Sequence, residues 1–177
     1  MATRSPYSVL QDVEQRCRAH ARGLPAGEQV DGDWVGIGFD LCGETLIARM
    51  SEINEILPPP ETIRIPGVLP WVRGLANVRG SLIPVVDVQA LLSGEYIHPG
   101  KKSRMLIIDQ GDVQAGVLVN EIYGLRRFKP QDKKEKAPAQ TPVLKELLDG
   151  GFADERQQWS VFSIERLVNN EQFLRVT

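Results

Sequence analysis

Histidine and cysteine are scarce in this chain of 177 residues, with two of each. His20 and His98 stand far apart, and Cys17 and Cys42 fit neither a metal-binding nor a redox spacing. A zinc centre takes three or four ligands brought together, so no metal site is expected. Also missing is any apolar run approaching the ~20 residues of a membrane-crossing helix. The opening stretch MATRSPYSVLQDVEQR has no apolar segment of leader type, so no secretory signal is expected. Both cysteines are accordingly read as reduced thiols in a cytoplasm. Neither sign of charge dominates. The chain has 21 Lys and Arg against 23 Asp and Glu, net charge -2, which argues against an overall basic footprint for nucleic acid.

Catalytic constellations are missing too. An enzyme supplies ~8 kcal/mol or more of transition-state stabilisation, normally through several convergent polar groups. Asp87 and Asp109 at strand ends are accounted for by cap and turn roles. The glycines of GIG at 36–38 lie inside a strand pattern, with no third glycine and no helix after them, so they are not a dinucleotide loop. No catalytic residue, cofactor-binding residue or metal ligand is assigned, and the chain is read as a non-enzyme.

What is present is turn-rich and apolar in short pieces. Sixteen glycines and twelve prolines imply many turns. Near the N-terminus, Val9, Val13, Cys17 and Ala21 recur every four residues, a narrow apolar stripe on a helix. Ser8 with Gln11 fits a capping box, and Gly23 and Pro25 supply the stop. Residues 1–33 are therefore read as a helical extension and linker, and 34–177 as the main domain. From Trp34, WVGIGFDL alternates with period two and predicts a half-buried strand, with Val35, Ile37, Phe39 and Leu41 inward against Gly and Asp on the other face. TLIARM returns after the turn CGE, and SEINEIL allows a short turn capped by Ser51. The prolines of PPPETIRIP enforce an extended segment. LANV, the turn RGS and LIPVVDV predict a hairpin, with Pro84 placing its strand at an edge or bulge. DVQALLSG reads as a helical turn or two capped by Asp87, and SRMLIIDQGDVQAGVLVNEI as two strands around QGD. YGLRRFKPQDKKEKAPAQTP is a polar passage with a basic bias, read as a solvated loop. Leu174 and Val176 close the chain after the strand WSVFSI and a short helix. Many short strands with little long helix predict an all-β fold of small barrels or a sandwich.

Within this pattern, IRIPGVLPWVRGLANVRGSLIPVVDVQALLS resembles the signature of CheW-like domains, the adaptors of bacterial chemosensory arrays. The matching residues are Ile65 and Pro66, Gly74, Asn77, Val78, Arg79, Gly80, Pro84 and Asp87. Upstream, Glu55 and Ile56 match the family's Glu-Ile segment; downstream, MLIIDQGDVQAGVLVNEIYGL and WSVFSIERLV match its second hairpin and closing strand. The resemblance covers about Trp34 to Asn170. Asn120 stands where the family often has Asp, and KPQDKKEKAPAQTP corresponds weakly. The N-terminal extension and GLANVRG resemble the twitching-motility, type IV pilus branch of the family.

The resemblance implies an all-β fold with minor α content. Two five-stranded SH3-like β-barrels, related by pseudo-symmetry, share an apolar core and carry the helical extension. It implies a scaffold coupling the cytoplasmic tip of a methyl-accepting chemoreceptor to the regulatory domain of a CheA-like histidine kinase. It places the protein in the cytoplasm, at membranes only indirectly through receptors, with no cofactor and no nucleic acid. By analogy, Ile53, Glu55, Gly74, Asn77, Val78, Arg79 and Gly80 form the partner-binding set. Arg79 is expected within reach of Glu55, Gly80 in a turn needing positive φ, and Gly74 either in a turn or at a close approach. Two alternatives remain: a flagellar chemotaxis adaptor, and a small β-barrel RNA-binding protein suggested by the basic residues around Phe128 in RRFKPQDKKEK, Arg126 to Lys136, which include the basic loop near Lys129–Lys136.

Overall fold

The computed structural model describes residues 32–139, 141–155 and 157–175. The helix expected between Ser8 and Gly23, with Cys17 and His20, lies outside the described residues, as does Val176. Ten strands carry the fold. β1 (Trp34–Leu41) and β2 (Glu44–Arg49) form a hairpin; β3 (Glu55–Leu57) follows, then β4 (Val72–Val78) and β5 (Ser81–Val86). After helix α1 (Val88–Ser93) come β6 (Arg104–Gln110), β7 (Val113–Val119), β8 (Glu121–Phe128), β9 (Leu148–Ala153) and β10 (Gln158–Phe162). Helices α2 (Ile164–Val168) and α3 (Glu171–Leu174) end the chain.

The strands make two five-stranded sheets, ordered β8-β1-β2-β10-β9 and β3-β6-β7-β5-β4. Each closes on itself through one backbone bridge made by the segment that continues its first strand. Lys134 and Gly151 exchange hydrogen bonds of 2.8 and 2.9 Å in the first barrel, and Ile63 and Leu75 do the same in the second. Closure removes the exposed edges on which open sheets associate. The halves of the chain are interleaved. The hairpin β1–β2 joins the late strands β8, β9 and β10, while the hairpin β6–β7 joins the early strands β3, β4 and β5. Both barrels end alike: β5 runs into α1 capped by Asp87, and β10 into α2 capped by Ser163.

The larger buried cluster takes Phe39, Leu41, Leu46 and Ala48 from the first sheet, Ala76, Val85 and Leu106 from the second, and Val88, Ile164 and Leu167 from the helices. This is the shared core. A smaller cluster of Trp34, Ile47, Phe128, Phe152, Trp159 and Val161 comes only from the first sheet. It corrects the one-sided reading of β1, because Gly36 and Gly38 are buried against the rings of Trp34 and Trp159, where a Cβ would collide. Three further details differ from expectation. YGLRRF is part of strand β8, paired with β1, not a polar passage. Ser51 lies inside a single 3-10 turn, Met50–Glu52, and caps nothing. Pro84 sits in an interior strand and not at an edge, though beside the register break of β4 at Val72–Gly74, as the bulge alternative has it, and one residue before β5 begins to pair with β7, so its missing N–H costs no ladder bond on that side.

Candidate functional site

β4 and β5 are joined by two residues, Arg79 and Gly80, with φ of 51° and 90°. Two-residue hairpin loops favour turns with positive φ at both positions, because that twist matches the strands. Asn77 supports the turn by accepting a 2.8 Å hydrogen bond from Gly80 N–H through Oδ1. Glycine suits the second position. Arginine at the first is costly, since a left-handed backbone costs an ordinary L-residue roughly 1–2 kcal/mol. Arg79 and Cys42 are the only non-glycine residues with positive φ among the described residues, and both precede a glycine in a hairpin turn.

The Arg79 side chain crosses to β3, where Nη2 lies 2.6 Å from Glu55 Oε1. The pair is lopsided in exposure: the Arg79 side chain is 79% accessible and that of Glu55 26%. An exposed ion pair contributes ~0–1 kcal/mol, which at most offsets the backbone cost. Stability therefore does not account for arginine at this turn. Exposed apolar side chains occur on both strands concerned, β5 and β3. Leu82, opposite Asn77 in the ladder, is 61% exposed, and Ile56 beside Glu55 is exposed as well. Sequence reasoning passed over Leu82, although alternation with buried Ile83 and Val85 points it outward.

The other expected site residues play different parts. Asn77 and Gly80 are exposed at the turn, whereas Val78 is buried and can act only by holding the hairpin. Ile53 is half-buried against the shared core beside β3. Gly74 is buried at a break in the β4–β5 register, with φ 133°, and a Cβ there would overlap the Ile63 carbonyl oxygen. The close approach at Gly74 is thus made by this chain's own closing segment.

Two polar junctions hold the hairpin's surroundings. Asp87 is fully buried; it accepts from Ala90 N–H at 3.0 Å and Ile97 N–H at 2.9 Å, with Arg73 Nη1 at 3.5 Å. Asn120 Nδ2 donates to Asp40 Oδ1 on β1 at 2.9 Å and to Gln89 Oε1 on α1 at 3.1 Å, tying the first barrel to the helix that follows the second. Burial, then the nearby carboxylates of Asp40, Asp87, Glu44 and Glu95, push the Cys42 thiol up to about 11. It therefore stays protonated and unreactive near neutrality. Among the described residues no group of three or more His, Cys, Asp or Glu is placed to hold a metal. No helix among them is long and apolar enough to cross a membrane.

The family model described as "CheW-like domain" matches residues 35–172, both barrels and the Arg-Gly hairpin included. The chain belongs to the CheW-like family. It is 38% identical over 172 residues to Protein PilI of Pseudomonas aeruginosa, covering 97% of this chain and 96% of that one. It is 19% identical to Chemotaxis protein CheW of Klebsiella aerogenes, covering 87% and 95% of the two chains. Among solved structures it is similar to the scaffolding protein TtCheW of Thermoanaerobacter tengcongensis, at TM-score 0.67 and 17% identity, over 81% of this chain and 98% of that one. That likeness supports the double-barrel fold. As a CheW-like protein, the chain is a non-enzymatic scaffold adaptor.

Proposed function

We propose that this adaptor couples the cytoplasmic tip of a chemoreceptor to the regulatory domain of a CheA-type histidine kinase, in a chemosensory pathway controlling type IV pilus twitching motility. Membership of the CheW-like family supports the scaffold role, and similarity to PilI over nearly the whole chain supports the pilus branch. The observation that carries the docking site is Arg79: an exposed guanidinium on a strained turn, oriented by Glu55, with exposed Leu82 on the same hairpin. Backbone strain of this kind persists where function needs the residue. Arginine is among the residues enriched at the few interface positions that carry most of the binding energy, and its charge also sets register and partner choice. Ile53, Gly74 and Val78 support the hairpin, while Glu55, Asn77, Arg79 and Gly80 present it. The adaptor works in the cytoplasm, recruited to receptor arrays, and residues 34–177 form the docking domain. In an array many contacts act together, so each can be weak.

The test is a reconstitution. The receptor tip and the kinase regulatory domain of the pilus system are mixed with and without the full-length adaptor and separated by size. The expected result is co-elution of receptor and kinase fragments only when the adaptor is present. Capture of neither fragment contradicts the coupling role. Capture of flagellar-system fragments in their place assigns the protein to that pathway.

A further inference from the structure

The loop from β3 to β4 contains IRIPGVLP and forms one wall of an open groove of about 420 Å³ on the second barrel. Two arginines reach into it. Arg64 is exposed, and no side chain among the described residues pairs with it. Arg73, on β4, lies over the ring of Tyr96 with its guanidinium 5.5 Å from the centroid. Among the described residues its only ion pair is the long 3.5 Å contact to Asp87, whose carboxylate already accepts two backbone N–H groups. Arg73 therefore keeps donors to offer. The rest of the lining is largely apolar, with Val68 and Leu69, which lie between the two arginines in sequence, half-buried.

We propose that this groove is a second docking site, for a peptide segment of a partner protein in which acidic and aliphatic side chains alternate. Its volume falls in the range of sites that enclose a ligand. Two guanidiniums, one stacked on an aromatic ring, match a carboxylate by bidentate hydrogen bonding and charge. A bare anion would leave Val68 and Leu69 uncovered, and a purely apolar segment would leave Arg64 and Arg73 without a partner. Arg73 and Arg79 are six residues apart along extended β4, about 20 Å. This site is therefore separate from the Arg-Gly hairpin and goes beyond the docking reading given above.

Titration of the full-length, ¹⁵N-labelled protein with the probe acetyl-Leu-Glu-Ile-Glu-Leu-amide tests this, with the Gln counterpart as control. Saturable shifts are expected at the amides of Val68, Leu69, Trp71, Val72 and Arg73 and at Tyr96. The Gln peptide and the variant Arg64→Glu should each bind more weakly, by up to about fivefold, the upper scale of one exposed ion pair. Arg64 lies exposed on the loop and its side chain makes no described bond, so its replacement leaves the fold intact. Arg79→Asn should leave the titration unchanged, which separates failure of this site from failure of the hairpin. No saturable shift, equal binding of both peptides, unchanged binding by Arg64→Glu, or shifts centred on residues 126–136 would each overturn the proposal.

Discussion

Arg79 occupies a position whose backbone asks for Asn or Gly, and among the described residues its side chain is tied only to Glu55, in an exposed pair. Arg79→Asn keeps a residue that tolerates the left-handed region and restores the favoured Asn-Gly turn. Thermal melting should show a Tm equal to or above that of the parent; a drop of several degrees would show that the ion pair holds the fold. Gly74→Ala is the opposite case. At φ 133°, against the Ile63 carbonyl, the added methyl strains β4 and the closing bridge. A loss of about 2–3 kcal/mol in denaturant unfolding is expected; a loss under about 0.5 kcal/mol would contradict the crowding. Several residue-level features were readable in advance. Gly80 follows from the turn, the reach to Glu55 from the motif, and the Asp87 cap from the helix that begins after it. The strain on Arg79 was not, because it depends on a two-residue loop whose length becomes definite only when Val78 is seen paired with Ser81. At Gly74 the motif left two readings open, and the neighbour that decides between them is eleven residues upstream.

Elements built on apolar alternation were legible, and those built on charge or glycine were not. The strand around Ile107 and Ile108 and helix α1 were legible from pattern alone. The YGLRRF part of strand β8 carries Arg126 and Arg127 and reads as loop from its charge; it is a strand because β1 offers it a partner along its length, and Arg126 lies over the Trp159 ring. β9, with Gly150 and Gly151, is likewise defined by contact. Gly150 has φ 76° and, like Gly74, faces the carbonyl of its barrel's closing segment, here Lys134. Charge fastens that closure: Asp149 bonds Lys133 from the closing segment and lies 3.3 Å from Arg166 of α2. The hydrogen bond from Lys133 leads in holding the Asp149 carboxyl below its ordinary value of 3.8, with the charges of Lys133 and Arg166 adding to it. With the folded value lowered, the contribution is full above the ordinary value and is lost as pH falls through the lowered one. Asp149→Asn should therefore melt lower than the parent at neutral pH, by a margin worth under about 1 kcal/mol for so exposed a group. The gap should close in strong acid. A gap that persists at low pH would mean that asparagine disturbs packing instead.

Across the whole molecule, interleaving makes each barrel depend on both halves of the chain, so the barrels are expected to unfold together. The first described strand begins at Trp34, and its barrel closes using residues 34–49 and 121–162 alone. Deleting residues 1–30 should accordingly leave a protein with β-type circular dichroism and a single cooperative melt, whereas an unfolded product would place the extension in the core. Many short strands left small barrels or a sandwich open, and the count of two barrels came with the family resemblance; which strands belong to which barrel could not be read, because the exchange of hairpins between halves leaves no local mark in sequence. The account turns on Arg79 serving a partner and not the fold. Its most direct test is calorimetric titration of the parent and Arg79→Asn proteins with the receptor tip and with the kinase regulatory domain. Affinity for at least one partner is predicted to fall about tenfold or more, the scale of an interface hot spot, while Tm is maintained. Unchanged affinity for both partners would contradict it.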